Sequence, residues 1–294
     1  MYRITKSAVE WFIILLALLP ARLAAGQAFT PATPVDSPVE SSPSLHLPTV
    51  VLLPRMSPEL AMQIYQQRTA RQAERLAAFF ATTVIHAELP DLVQRGEYEL
   101  RSHYLAPHTL EFNSAHYAGD KFVKTNVMVR LLQSEVDRVR RGEGILTALT
   151  SANYKFSQAG TVQLNGRPVH AYEVKPHKKR PGLFKGHIYL DPRTGALIRV
   201  EGTLVKTPSF FIKKISFVQD YAEFGDFTFP VHVHVLAVTR VVGRAVVDIY
   251  HRDYQSVAAD QSLAASEEAA SGRAQQPDAG RQLNPQAFVH SIVQ

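Results

Sequence analysis

The chain has 294 residues, 46% of them hydrophobic and 20% charged, which suits one globular domain plus some unpacked sequence and leaves no room for a second large domain. It contains no cysteine, which excludes a disulfide framework and a lipid anchored on a cysteine after a leader. The net charge of +6 is uneven: residues 55–255 hold +8, whereas residues 29–54 and 256–294 hold −2 each, so any partner of the basic core is nucleic acid, an anionic membrane surface or an acidic protein.

In chain order, Arg3 and Lys6 precede an apolar run from Trp11 to Leu19, and small residues follow in "LAAGQAFT". This pattern predicts a signal peptide over residues 1–28, cleaved after Gly26 or Ala28, and hence a periplasmic or secreted protein. The alternative, an uncleaved anchor, has too few apolar residues to span a bilayer and is interrupted by Pro20 and Arg22. Export argues against nucleic acid as the partner. Residues 29–56 form a proline-rich linker in which the recurring rings remove backbone donors and block helix. Residues 256–294, rich in Ala, Ser, Gln and Glu, read as a low-complexity and mostly disordered tail. The folded domain is expected over 57–255.

Ser57-Pro58-Glu59 is a helix start with a hydroxyl cap, proline at the first position and a carboxylate in the first turn. Apolar residues at Ala61, Ile64, Tyr65, Ala73, Leu76, Ala77 and Phe80 carry the helical spacing onward, and a β-branched strand follows from Phe80 to Glu88. From Glu97 the chain reads as strands: "YELRSHYLA", "TLEFNSAHY", "YKFSQAG", "TVQLNG", "VHAYEVK", "HIYLD", "ALIRVEGTLVK", "FIKKISFVQDY", "FPVHVHVLAVTRV" and "RAVVDIYHRDY". Turn residues separate most of them, which predicts an antiparallel meander, with a second helix where Val129, Leu132, Val136 and Val139 recur. The fold class is therefore mainly β (α+β): a curled antiparallel sheet or unclosed half-barrel of about ten strands with two or three covering helices.

Strand alternation proposes the faces. Phe229, Val231, Val233, Val235 and Ala237 share one side of their strand, and His232, His234, Leu236, Val238 and Arg240 the other. A large curled sheet with few helices leaves an apolar concave face that its own side chains need not fill.

The order of these elements resembles the bacterial lipoprotein-carrier superfamily, which includes LolA, LolB and the N-terminal domain of RseB/MucB. The residues that carry the resemblance are "YEVKP" (172–176), "GHIYLDPRTG" (186–195), "VEGTLVKTPSFF" (200–211) and "DYAEFGDFTFP" (220–230). The resemblance implies an unclosed antiparallel barrel, lidded by helices, whose apolar inside holds acyl chains. It also implies a role in shuttling lipoproteins or in sensing envelope lipids.

Strand parity then names the candidate cavity lining: Ile198, Val200, Leu204, Phe211, Ile215, Phe217, Val231, Val233 and Val235. The loop "KPHKKRPG" offers Lys178, Lys179 and Arg180 as a dock for lipid phosphates or an acidic partner, against the plainer reading of a solvated hairpin tip. His232 and His234, at i and i+2, begin a metal site only if a third ligand such as His251 joins them, so no metal and no other cofactor is assigned. No GxSxG, HExxH, GxGxxG or phosphate-loop pattern occurs, and the carboxylates show no acid/base pairing. The expected function is noncatalytic binding and transfer of acylated envelope molecules, with acyl chains of lipoproteins or lipids as partners. The alternatives are an envelope-stress or scaffold module of the same fold and, further off, a secreted hydrolase.

Overall fold

The computed structural model describes residues 55–260, so the expected signal peptide, nearly all of the linker and most of the tail lie outside the described residues. Ser57 caps the first helix, α1 (Pro58–Arg75): its side chain accepts from the Leu60 amide at 3.3 Å, with Pro58 and Glu59 in the first turn. The helix stops before Leu76, Ala77 and Phe80, which its spacing had included. From Leu76 the sequence "LAAFFATTVI" is apolar on both sides and rich in aromatic and β-branched residues, and pairing on both edges as a central strand wins over helix.

That strand, β1 (Leu76–Leu89), follows α1 with no intervening loop. β2 (Gln94–Leu105) and β3 (Thr109–Gly119) complete a meander on one side of it. The chain then leaves the sheet through α2 (Lys121–Val123), a π-helical turn (Lys124–Met128), α3 (Val129–Arg140) and the short α4 (Gly144–Thr147). It returns as β4 (Tyr154–Leu164), β5 (Arg167–Pro176), β6 (Phe184–Leu190), β7 (Leu197–Leu204), β8 (Ile212–Phe224), β9 (Phe227–Thr239) and β10 (Arg244–Ala258). β10 pairs antiparallel with β1, giving one ten-stranded sheet in the order β3-β2-β1-β10-β9-β8-β7-β6-β5-β4, with β3 and β4 at its edges among the described residues. The two segments read as "YKFSQAG" and "TVQLNG" are one strand, because Gly160, at φ 107°, makes a bulge rather than a turn.

A sheet this wide must twist and curl, and the β6–β7 hairpin is built for it. Gly186 and Gly202 are cross-strand partners, and a Cβ on Gly186 would lie 1.9 Å from the Glu201 carbonyl oxygen. The two backbones approach more closely there than any side chain allows. Along β1, Phe79, Ala81, Thr83, Ile85, Ala87 and Leu89 are buried on one face. The larger apolar cluster gathers Ile85, Leu100, Leu131, Ile188, Ile215 and Val233, among others; a smaller one holds Phe79, Tyr104, Leu110, Phe227 and Phe229. α2, the π-turn and α3 cover this side with Val123, Val127, Met128 and Leu131.

Candidate binding face

Six of the proposed lining residues lie together in the larger cluster: Val200, Leu204, Ile215, Phe217, Val233 and Val235. The other three are displaced, each at a bulge. In β7 the register steps from Tyr189–Arg199 to Leu190–Leu197, so Ile198 is the extra residue and Leu197 takes the buried place. In β8 the step from Ile212–Thr239 to Lys214–Val238 buries Ile212 beside Ile215 and leaves Phe211 exposed before the strand begins. In β9 the step from Asp220–His232 to Tyr221–Pro230 leaves Val231 without a partner and half-buried. A bulge adds one residue to one strand, which exchanges inward and outward positions beyond it.

A chain of polar side chains crosses the apolar face. Thr83 Oγ1 stands 3.2 Å from Ser102 Oγ and 3.0 Å from His251 Nδ1, and Ser102 Oγ donates to the Ala81 carbonyl at 3.1 Å. Three contacts need three protons. Since the Ser102 proton serves Ala81, the Thr83 hydroxyl donates to Ser102 and His251 Nδ1–H donates to Thr83, which makes Nε2 a bare acceptor. That Nε2 is buried and has no hydrogen-bond partner among the described residues. Burial pushes the imidazole pKa down to about 4, so the ring is neutral at ordinary pH.

His251 is therefore no third ligand for His232 and His234. Those two point to the opposite face, where His232 Nε2 and His234 Nδ1 lie 3.0 and 2.8 Å from Asp248 Oδ1. Burial raises the Asp248 carboxyl, but the histidine hydrogen bonds outweigh it and hold the pKa below the usual range. Among the described residues no group of His, Cys, Asp and Glu is arranged to hold a metal ion.

α1 lies over the face with little apolar grip, burying only Ala61 and Tyr65 of its 18 residues. Polar ties hold it instead, one of them buried. The Tyr65 hydroxyl donates to the Leu149 carbonyl at 3.0 Å, Gln72 exchanges two hydrogen bonds with the Thr228 backbone, and the Tyr172 hydroxyl donates to the Pro58 carbonyl. Arg68 pairs with Glu223 and Arg75 with Asp226. Gly195, in the β6–β7 turn at φ 65°, passes so close under α1 that a Cβ would be 2.8 Å from Ile64. Beneath the helix is a cavity of about 20 Å³, room for one water, lined by Tyr65, Thr69, Gln72, Gly195, Leu197 and Thr228.

Lys178 and Lys179 are exposed and Arg180 half-buried in the β5–β6 loop, which His177 fastens to the Ser151 carbonyl. Sequence reasoning missed the Thr83–Ser102–His251 chain, because its members come from three strands. It also missed the Glu135–Arg138 ion pair, 0% and 2% exposed on α3, although i,i+3 opposite charges within an apolar helical stripe could have signalled it.

No family model matches the chain, and no curated protein is similar to it. Among solved structures, it is similar to an outer-membrane lipoprotein-sorting protein domain from Vibrio parahaemolyticus (16% identity, TM-score 0.35, covering 68% of this chain and 93% of that one). It is also similar to a LolA superfamily protein from Nitrosomonas europaea (9%, 0.33, 66% and 92%) and to the MucA/MucB complex of Pseudomonas aeruginosa (11%, 0.22, 68% and 100%).

Proposed function

We propose that this chain is a noncatalytic periplasmic protein that binds and transfers acylated envelope molecules, lipoproteins or lipids, on the apolar face that α1 covers. The observation that carries the reading is the contrast between that face and its cover: a helix of 18 residues that buries two of them and is fixed largely by polar ties, one buried and the others part-buried. Few buried apolar contacts make opening of such an element inexpensive relative to global unfolding. A sixteen-carbon chain gains on the order of 12 kcal/mol on leaving water, before ordering costs, which outweighs the loss of a few hydrogen bonds. With the face closed by its own side chains, an acyl chain enters by lifting α1 from Gly195, Leu197 and Thr228. Lys178, Lys179 and Arg180 would serve an anionic membrane or partner at the end of the sheet where the β5–β6 loop lies.

Native mass spectrometry of protein extracted from the periplasm without detergent tests this. An adduct of acyl-lipid mass, or uptake of a fluorescent fatty acid, is expected; a clean apo mass with no uptake overturns carriage. The protein-interaction reading is favoured by a different feature, the eleven-residue edge strand β4, most of which is exposed and whose outer ladder is unpaired among the described residues. A partner retained through purification without lipid would favour that reading.

A further inference from the structure

The antiparallel order places the β1–β2, β5–β6, β7–β8 and β9–β10 loops at one end of the sheet. Three of them, spanning 90–93, 205–211 and 240–243, are braced to one another. The Arg240 amide donates to the Phe211 carbonyl at 2.8 Å and its Nε to the Phe210 carbonyl at 3.0 Å, while its guanidinium lies 4.7 Å over the Phe210 ring. Asp91 accepts from the Arg244 backbone at 3.0 Å and from its guanidinium at 3.1 and 3.3 Å, which fastens the β1–β2 turn to the start of β10. The Val205 amide donates to the Leu183 carbonyl and ties this group to the β5–β6 loop.

This bracing holds large apolar side chains out in water. Phe210 is 78% exposed, Val241 70% and Val93 93%. Val93 is also kept at φ 54°, a left-handed backbone that β-branched residues avoid. Asp91 is the sole acid in the three loops and is engaged by Arg244, whereas Lys206, Lys213, Lys214 and Arg240 flank the apolar tips. At the opposite end, the turns between β6 and β7 and between β8 and β9 carry Asp191, Arg193 and Asp226, with no exposed aromatic.

We propose that this braced end is a membrane-docking tip, in which Phe210, Val241 and Val93 enter the interfacial layer of an anionic bilayer while Lys206, Lys213, Lys214 and Arg240 meet lipid phosphates. Apolar side chains ringed by cations match a surface that is apolar below and anionic above, which an acidic protein groove does not require. The inference deepens the anionic docking proposed at this end and is independent of acyl-chain carriage.

Cosedimentation of the full chain with vesicles of phosphatidylglycerol and phosphatidylcholine, against phosphatidylcholine alone, is the test. Binding only to the anionic vesicles is expected, falling with added salt. Phe210→Ser with Val241→Ser, both exposed and so tolerated by the fold, should weaken it about tenfold or more. Lys213→Glu with Lys214→Glu should weaken it by at least about fivefold per charge. The fluorescence added by Phe210→Trp, read as the difference from unsubstituted protein, should shift to the blue on vesicle addition. Equal affinity of the Phe210→Ser/Val241→Ser protein, absence of vesicle binding, or binding without a blue shift would each overturn insertion; retention of an acidic protein in place of vesicles would do the same. Failure of fatty-acid uptake leaves these readouts standing, so the two proposals fail separately.

Discussion

Buried beside Thr83, the His251 imidazole resists protonation down to a pKa of about 4, whereas in the unfolded chain it titrates near 6.5. Below the unfolded value the unfolded state takes up a proton that the folded state refuses. The His251 contribution is therefore complete above about pH 6.5, is lost as pH falls towards 4, and amounts to about 3 kcal/mol across that window. Urea midpoints measured through that window should show this slope, and His251→Gln should flatten it. On α3, Arg138→Ala would remove the ion-pair partner of the buried Glu135 carboxylate and should lower stability by about 3 kcal/mol, whereas Glu135→Leu with Arg138→Met should recover most of the loss. Chemical denaturation of the three proteins separates pairing from packing. The two sites differ in legibility: the i,i+3 pair lies within one helix, whereas His251 is neutral because strands distant in sequence surround it, and nothing in "IYHRDY" discloses that.

At the scale of elements, α1 is the weakly held piece. Its amides should exchange with deuterium ahead of those of β1 and β10, and Tyr65→Phe with Gln72→Ala should widen the gap while changing the free energy of global unfolding by no more than about 2 kcal/mol. Faster release of a bound fluorescent fatty acid from the same variant would tie the opening to carriage. Most of the meander was legible, since "NG" at 165–166 and "TG" at 194–195 mark real turns and the β-branched runs between them are real strands. The second helix was legible too, because Val129 to Val139 keeps helical spacing. What parity could not supply were the bulges. Val231 continues an unbroken apolar alternation in sequence, and only pairing with the neighbouring strand reveals the extra residue; at Phe211 the charged Lys213 two residues on was the one local sign of a change of face. The end of α1 was misread for a related reason: Leu76 to Phe80 satisfies helical spacing, but its residues are needed between β2 and β10.

For the whole molecule, curl is the property on which the concave face depends, and the close backbone approach where Gly186 meets Gly202 leaves no room for side chains there. Gly186→Ala forces a methyl group into the Glu201 backbone and should cost about 1–3 kcal/mol, lowering Tm by several degrees, with Gly202→Ala acting in the same direction against Lys185 and Phe184. Calorimetry checks both. The direct passage of α1 into β1 has a mechanical result. Leu76 is already paired with Ala258, so the C-terminal end of the helix is pinned to the centre of the sheet, and α1 can rise only about that pivot, from its Pro58 end. There the Tyr172 hydroxyl and the bond from the Met56 amide to the Pro192 carbonyl are the latches. Whatever chain precedes Arg55 is thus attached to the free end of a lever, and tension on it would pull the helix away from the sheet.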